Sequence, residues 1–100
     1  MFRGTTPQLE FSFDYNLEDL NIQSFYITLK QANNTVAEKE LNDITIVKEK
    51  AIINLTQEET LSMSATIPVS IQARLKINNK VYATNILSVG VSSVLKEGVI

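Results

Sequence analysis

The sequence contains no cysteine, no histidine and no tryptophan. Without cysteine there is no disulfide framework, thiolate zinc site, iron–sulfur cluster or thiol catalysis. Without histidine the chain lacks the usual general base near neutral pH and the commonest transition-metal ligand. The three glycines are scattered at Gly4, Gly90 and Gly98, so no glycine-rich phosphate-binding loop is present. An enzyme built from this chain would have to rely on carboxylates or lysines with strongly shifted pKa values.

Charge and hydrophobic runs are also modest. The formal net charge is −2, which argues against a dedicated nucleic-acid-binding protein. No apolar run approaches the ~20 residues that a membrane-spanning helix needs. The first seven residues, MFRGTTP, contain no apolar core of a secretory signal. We therefore expect a protein that is produced in the cytoplasm without a signal peptide.

The composition favours β-structure. Valine, isoleucine and threonine together number 28, against 6 alanines. Branching at Cβ restricts χ1 in a helix and suits the pleated surface of a sheet. With 100 residues, of which 44% are hydrophobic, the chain has the length and apolar content of one globular domain with its own core.

Apolar and polar residues alternate with a period of two over several long stretches, as in half-buried strands. The pattern is clearest at residues 69–78 and also covers residues 9–14, 25–30 and 81–92. In the last stretch only Asn85 and Ile86 interrupt the alternation. This interruption predicts a β-bulge or a change of face there.

Shorter strands and their turns can be placed between the long ones. Residues 36–41 are predicted to pair with the strand that ends at Gln31, through a turn at Asn33 and Asn34, because asparagine tolerates positive φ. Residues 44–47 and 51–55 flank the charged tip Lys48-Glu49-Lys50. A further hairpin turn is predicted at Asn78-Asn79.

One segment has the signature of a helix start. Thr56 and Glu59 form a capping-box pattern, in which each side chain would bind the other residue's backbone N–H. This predicts one short helical turn near residues 57–63, with Leu61 directed toward the core. A second turn is predicted from Leu17 to Leu20, with Asn16 as its cap.

These elements predict an all-β fold: an antiparallel two-sheet sandwich of six to seven strands, with an immunoglobulin-like arrangement. A small open barrel is the alternative. We expect a single domain over residues 1–100, with residues 95–100 as a protruding tail.

Sequence patterns point to no catalytic, cofactor-binding or metal-binding residue. The candidate interaction residues are Arg74 and Lys76, which share the outward face of one strand, and Val99 and Ile100 in the tail. The tail either frays, as chain termini do, or docks on the edge strand of a neighbouring subunit. A solvated face is the plainer interpretation of Arg74 and Lys76, and binding of nucleic acid the less favoured one.

Four stretches distributed over the whole chain carry a resemblance to known proteins. They are FRGTTP at 2–7, LTQEETL at 55–61, IQARL at 71–75 and LKEGVI at 95–100. Together they resemble a family of small uncharacterised proteins encoded among the phage and prophage structural genes of Gram-positive bacteria. The resemblance implies a non-enzymatic β-sandwich that is associated with the virion or its tail, and it supplies no active-site residues.

Three function classes follow. The leading hypothesis is a structural or interaction module that assembles with itself or with phage structural proteins, first in the cytoplasm and then in the virion. The alternative is a carbohydrate- or cell-surface-binding module, whose aromatic platform could come only from Tyr15, Tyr26 or Tyr82. An enzyme is the least favoured class, because so many strands leave little loop to form a cleft.

Overall fold

Eight β-strands and one short α-helix form the framework of the computed structural model, which describes all 100 residues. In chain order the elements are β1 (Gln8–Ser12), β2 (Ile22–Gln31), β3 (Asn34–Glu40), β4 (Thr45–Val47), β5 (Lys50–Asn54), α1 (Gln57–Leu61), β6 (Val69–Ile77), β7 (Lys80–Ala83) and β8 (Leu87–Val89). Two 3₁₀ turns lie at Leu17–Asp19 and Leu41–Asp43. No helix is both long and apolar enough to cross a membrane.

The strands form two antiparallel sheets. One sheet has the order β1-β5-β4, and the other has the order β3-β2-β6-β7, with β8 also paired to β6. This is the strand order of an immunoglobulin-like sandwich: β1, β5 and β4 occupy positions B, E and D, while β3, β2, β6 and β7 occupy C′, C, F and G. The predicted fold class is therefore confirmed. The strands number eight because β7 and β8 divide one predicted strand.

The core lies between the two sheets and follows the alternation seen in the sequence. On β6 the five odd-numbered residues from Val69 to Ile77 are all buried, and none of the residues between them is. Strand β2 contributes Phe25, Ile27 and Leu29 from its facing side, and β5 contributes Ala51 and Ile53. Burial of apolar surface between the layers thus fixes which face of each strand is inward.

The hairpin turns lie where predicted, with one shift of a single residue. Asn78 and Asn79 both have positive φ, at 50° and 64°, which is the geometry of a type I′ turn. The β2–β3 turn, however, is formed by Ala32 and Asn33 rather than by Asn33 and Asn34. The positive φ of 53° falls on Ala32, because β3 already begins at Asn34.

The helix start is confirmed in detail. The Glu59 backbone N–H donates to Thr56 Oγ1 over 3.1 Å, and the Thr56 backbone N–H donates to Glu59 Oε1 over 2.9 Å. The inward residue, however, is Thr60, which is fully buried, whereas Leu61 is only half-buried. The expectation that Leu61 faces the core is thus off by one residue. Thr60 can occupy the site because its hydroxyl donates to Thr5 O over 2.8 Å.

The predicted interruption at Asn85 and Ile86 is a bulge that changes the face of the edge strand. Arg74 of β6 pairs with Ala83 of β7, and Ile71 of β6 pairs with Leu87 of β8. Between these two pairs, β6 has two residues (72 and 73), whereas the segment that joins β7 to β8 has three (84 to 86). Leu87 therefore shares the inner side with Ile71, whereas Ala83 shares the outer side with Arg74. The extra residue lets one edge strand supply both faces.

Candidate interaction surface

The outward side of the five-stranded sheet carries Arg74 and Lys76. Because directly opposed residues of antiparallel strands share a face, the strand registers define this surface. We call it the outer face; its members on β2, β3, β6 and β7 are Ser24, Tyr26, Thr28, Lys30, Glu38, Glu40, Ser70, Gln72, Arg74, Lys76, Val81 and Ala83. The three-stranded sheet packs on the opposite side, so it does not cover the outer face.

Charges on the outer face are sorted by strand. Glu38 and Glu40 on β3 form an acidic row, and Arg74 and Lys76 on β6 form a basic row. Strand β2 separates the two rows and adds Lys30. The three ion pairs of the structure are Arg3–Glu97, Lys39–Glu59 and Lys50–Glu10. None of these pairs uses any of the five charges of the outer face.

Aromatic and aliphatic side chains lie among these charges. Tyr26 is 41% exposed and stands between Glu40 and Arg74 in the register of the sheet. Val81 pairs with Lys76 and is 58% exposed. Ile86 is 64% exposed and borders a shallow depression that also includes Lys30. Alternation alone would place Val81 and Leu87 on one side. The Asn78-Asn79 turn pairs Val81 with Lys76 on the outer face, and the bulge that follows turns Leu87 to the inner side.

Thr84 holds the bulge in place beside this surface. Its backbone N–H donates to Ala73 O over 3.0 Å, and its Oγ1 accepts from the Ala73 N–H over 3.1 Å. The Gln72 side-chain amide donates to Thr84 O over 2.9 Å. The Thr84 hydroxyl thus accepts the hydrogen bond from the Ala73 N–H that a backbone carbonyl would accept in a regular ladder. A threonine next to the interruption was the only signal of this arrangement in the sequence.

The tail residues Val99 and Ile100 lie at a different part of the molecule. Gln57 donates from Nε2 to Ile100 O over 3.0 Å and accepts from the Ile100 N–H at Oε1 over 2.9 Å. Both tail side chains are largely exposed, at 60% for Val99 and 87% for Ile100. These hydrogen bonds connect the tail to α1, and not to the strand that carries Arg74 and Lys76.

Arg3 is the second anchor of the tail. Its Nη1 binds Glu97 Oε1 over 2.7 Å, and its Nη2 donates to Leu61 O over 2.9 Å. The guanidinium thereby joins the first residues, the end of α1 and the tail, and a parallel bridge between Phe2 and Ser92 lies next to it. Between Ser92 and Glu97, the side chain of Leu95 is fully exposed. Sequence reasoning had no means to pair residues so far apart in the chain.

An apolar cleft opens between the two sheets at the side of β1 and β8. Phe11 and Phe13 line it from one sheet, and Ile71 and Leu87 line it from the other. The bulge forms part of its rim through Thr84 and Asn85.

The three tyrosines stand on three different surfaces. Tyr26 lies on the outer face, whereas Tyr82 pairs with the buried Leu75 and so points to the inner side of the same sheet. Tyr15 follows β1 and packs near Phe13, with 6.0 Å between the ring centroids. The structure therefore does not bring them together as one aromatic platform.

Glu59 has the one pKa that departs clearly from its ordinary value. Burial would raise the pKa of this carboxyl, but hydrogen bonds from Thr56 and the nearby Lys39 ammonium outweigh burial and lower it. The Lys39 Nζ lies 3.0 Å from Glu59 Oε1, and the same oxygen accepts from the cap. Lys39 thus stabilises the carboxylate that caps the start of α1.

No group of three or more acidic side chains is close enough together to hold a metal ion.

Comparisons with known proteins add little to this description. No protein-family model matches the chain, and no curated protein matches its sequence. One solved structure that is similar is a strand-swapped dimer of the extracellular domain of mouse leukocyte-associated immunoglobulin-like receptor 1. It is 14% identical, with a TM-score of 0.48, over 92% of this chain and 84% of that one. The fold assignment rests on the strand order of this chain itself.

Proposed function

We propose that this chain is a non-enzymatic structural or interaction module that assembles through protein–protein contacts. The observation that carries the proposal is the outer face, where five charges without an ion-pair partner surround exposed tyrosine, valine and isoleucine side chains. Protein interfaces combine an aromatic or apolar centre with charges that select the partner. A rigid sheet presents these groups in a fixed arrangement.

The resemblance to phage and prophage proteins supports the proposal that this module belongs to a virion or its tail. A particle is built from many copies of few chains, so each chain needs a surface that its own fold leaves uncovered. The outer face meets this need on one side, and the exposed tail residues Leu95, Val99 and Ile100 offer a second, smaller contact.

Purified phage particles provide the test. Particles induced from a bacterium that carries the gene are analysed by mass spectrometry, with the wild-type chain and with the variant Arg74→Glu/Lys76→Glu. We expect the wild-type chain to be retained in the particles and the variant to be depleted. Lys48→Glu/Lys80→Glu, which makes the same change of charge away from the outer face and breaks no ion pair, is the matched control. A chain that is abundant in the lysate and absent from the particles would refute the virion role.

The carbohydrate- or cell-surface-binding alternative stays a prediction of the sequence. The separation of Tyr15, Tyr26 and Tyr82 gives it no support. A glycan array with the variants Tyr26→Ala and Tyr82→Ala tests it directly: a bound glycan that is lost in one variant would favour this alternative.

A further inference from the structure

We infer that the outer face binds a second copy of this chain, in a twofold-symmetric dimer in which β3 of each copy lies over β6 of the other, so that Glu40 meets Arg74 while Glu38 and Lys76 lie one position to either side. This inference rests on the proposed function and names a partner for it. Its starting point is the separation of unlike charges on one surface: Glu38 and Glu40 lie on β3, and Arg74 and Lys76 lie on β6, two strands away. A surface that carries both complementary halves can bind itself.

The strand order determines how two copies have to meet. In a face-to-face pair with the twofold axis along β2, the β3 strand of each copy lies over the β6 strand of the other, because β2 lies midway between them. A rotation about this axis keeps the height of each residue along the strands. Glu40 and Arg74 both stand level with Tyr26. Glu40 of one copy therefore meets Arg74 of the other, and symmetry repeats this pair.

The opposite orientation is disfavoured by the same charges. A twofold axis across the strands would place β3 over β3 and β6 over β6, so that acids would face acids and bases would face bases. Juxtaposed like charges oppose association at an interface and so disfavour wrong arrangements. The charge pattern thus selects one of the two ways in which the sheets can stack.

Tyr26 occupies the centre of this arrangement. It lies on β2, directly on the axis, and meets Tyr26 of the other copy, with the Glu40–Arg74 pairs on both sides. A central aromatic side chain surrounded by polar groups is the usual composition of an interface hot spot. Val81 and Ala83 on β7 lie beyond the basic row, past the edge of β3 of the other copy, and stay outside the contact.

The size of the face predicts a weak dimer. Three strands of each copy (β3, β2 and β6) overlap in this dimer. With ~4.8 Å between strands and at most four outward residues per strand at ~6.7 Å intervals, they give roughly 400 Å² per copy. The total of about 800 Å² is below the standard size of specific interfaces and in the range of weak, transient contacts. We therefore expect association in the micromolar range that weakens with added salt, because exposed charge pairs are screened.

Lys30 gives the geometry its most specific consequence. It lies on β2 at the end of the face, level with Ser70, so in this dimer it approaches Lys30 of the other copy. This like-charge contact opposes association, although a long side chain can turn away into water. If Lys30 attracted the partner, its removal would weaken association. Here Lys30→Ser should instead tighten the dimer by about threefold, as expected for one exposed pair of charges.

Sedimentation velocity of the purified chain over a range of concentrations tests the dimer. Reversal of one row, by Arg74→Glu/Lys76→Glu or by Glu38→Lys/Glu40→Lys, should weaken association at least ~10-fold, because like charges then face each other. The fourfold variant that contains all of these changes exchanges the rows within one chain and keeps the net charge. Its association should return to about the wild-type value. Thermal unfolding of each variant, followed by circular dichroism, shows whether its fold is retained.

Control variants distinguish this contact from nonspecific association. Lys48→Glu and Glu49→Lys change charges at the β4–β5 turn on the other sheet and should leave association unchanged. A wild-type chain that stays monomeric, or a fourfold variant that stays as weak as either row reversal, would overturn the dimer. A monomer that is still incorporated into phage particles refutes the dimer alone. A dimer that is absent from particles refutes the virion role alone.

Discussion

At the residue scale, a few polar side chains fix the position of chain segments that lie outside the two sheets. Gln31 at the end of β2 is buried, and its amide binds three backbone groups of the connection between α1 and β6. Its Nε2 donates to Ser64 O over 2.8 Å and to Ile67 O over 2.7 Å, and its Oε1 accepts from the Ser64 N–H over 2.7 Å. A glutamine in an alternating strand gave no sign of this role, because its partners are more than thirty residues away.

Gln31→Leu should lower the free energy of unfolding by about 2–3 kcal/mol, because the partly buried hydrogen bonds to three backbone groups are lost together. Urea denaturation measures the change. Gln23→Leu is the matched control, because Gln23 also makes two amide hydrogen bonds, both to Asn79, but at an exposed site where water can replace them. Equal losses in the two variants would contradict the assigned role of Gln31.

Glu59 makes stability depend on pH in a defined direction. Its pKa is lower in the folded chain than its ordinary value of 4.5. The carboxylate therefore stabilises the fold fully above that ordinary value, and the contribution is lost as the pH falls through the lower folded value. Wild type and Glu59→Gln should differ in unfolding free energy at neutral pH, and the difference should shrink steadily below pH ~4.5.

Urea denaturation between neutral and acidic pH provides this comparison. Glu58→Gln is the control, because Glu58 lies beside Glu59 in the first helical turn and takes part in no ion pair. Its pH profile should follow that of the wild type. A difference between wild type and Glu59→Gln that stays constant with pH would show that the ionised carboxylate is not what stabilises the cap.

At the scale of elements, the edge strand depends on its bulge. One additional residue lets β7 present Val81 and Ala83 outward while β8 turns Leu87 and Val89 inward. The break in alternation at Asn85 and Ile86 was enough to predict this feature. The hydrogen bonds that stabilise it were not predictable, because they depend on the register between two strands.

Thr84→Val should cost about 1–2 kcal/mol of unfolding free energy, because the Ala73 N–H loses its acceptor while the side chain keeps its shape. Thr45→Val on β4 is the control, since the Thr45 hydroxyl is exposed and makes no hydrogen bond within the protein. Thermal unfolding compares the two variants with the wild type. A loss for Thr84→Val no greater than for the control would mean that the hydroxyl does not hold the bulge.

The tail is another element whose position depends on distant residues. Arg3→Lys should release it, because a single ammonium cannot bind Glu97 and Leu61 O in the geometry of the guanidinium. Trypsin should then cut after Lys96 several-fold faster, while cleavage at the β4–β5 turn after Lys48 should keep its wild-type rate. Faster cleavage at both sites would indicate general destabilisation, and no change at either would indicate that Arg3 does not hold the tail.

At the scale of the whole molecule, local patterns predicted the sandwich better than they predicted its contacts. Alternation placed the buried side of β6 correctly, and the Thr56–Glu59 pattern placed the capping box of α1, because both depend on residues that are neighbours in sequence. The turn at Ala32 and the burial of Thr60 were each displaced by one residue, since neighbouring elements decide them. The charge rows could not be predicted, because they require the knowledge that β3 and β6 flank β2.

We propose that the outer face of the five-stranded sheet is a contact surface between proteins. Backbone amide NMR spectra of the labelled chain, recorded from dilute to concentrated solution, locate such a contact residue by residue. We expect concentration-dependent shifts centred on Tyr26, Glu40 and Arg74, with little change on β1, β4 and β5. Shifts confined to the three-stranded sheet or to the tail, with the outer face unchanged, would contradict it.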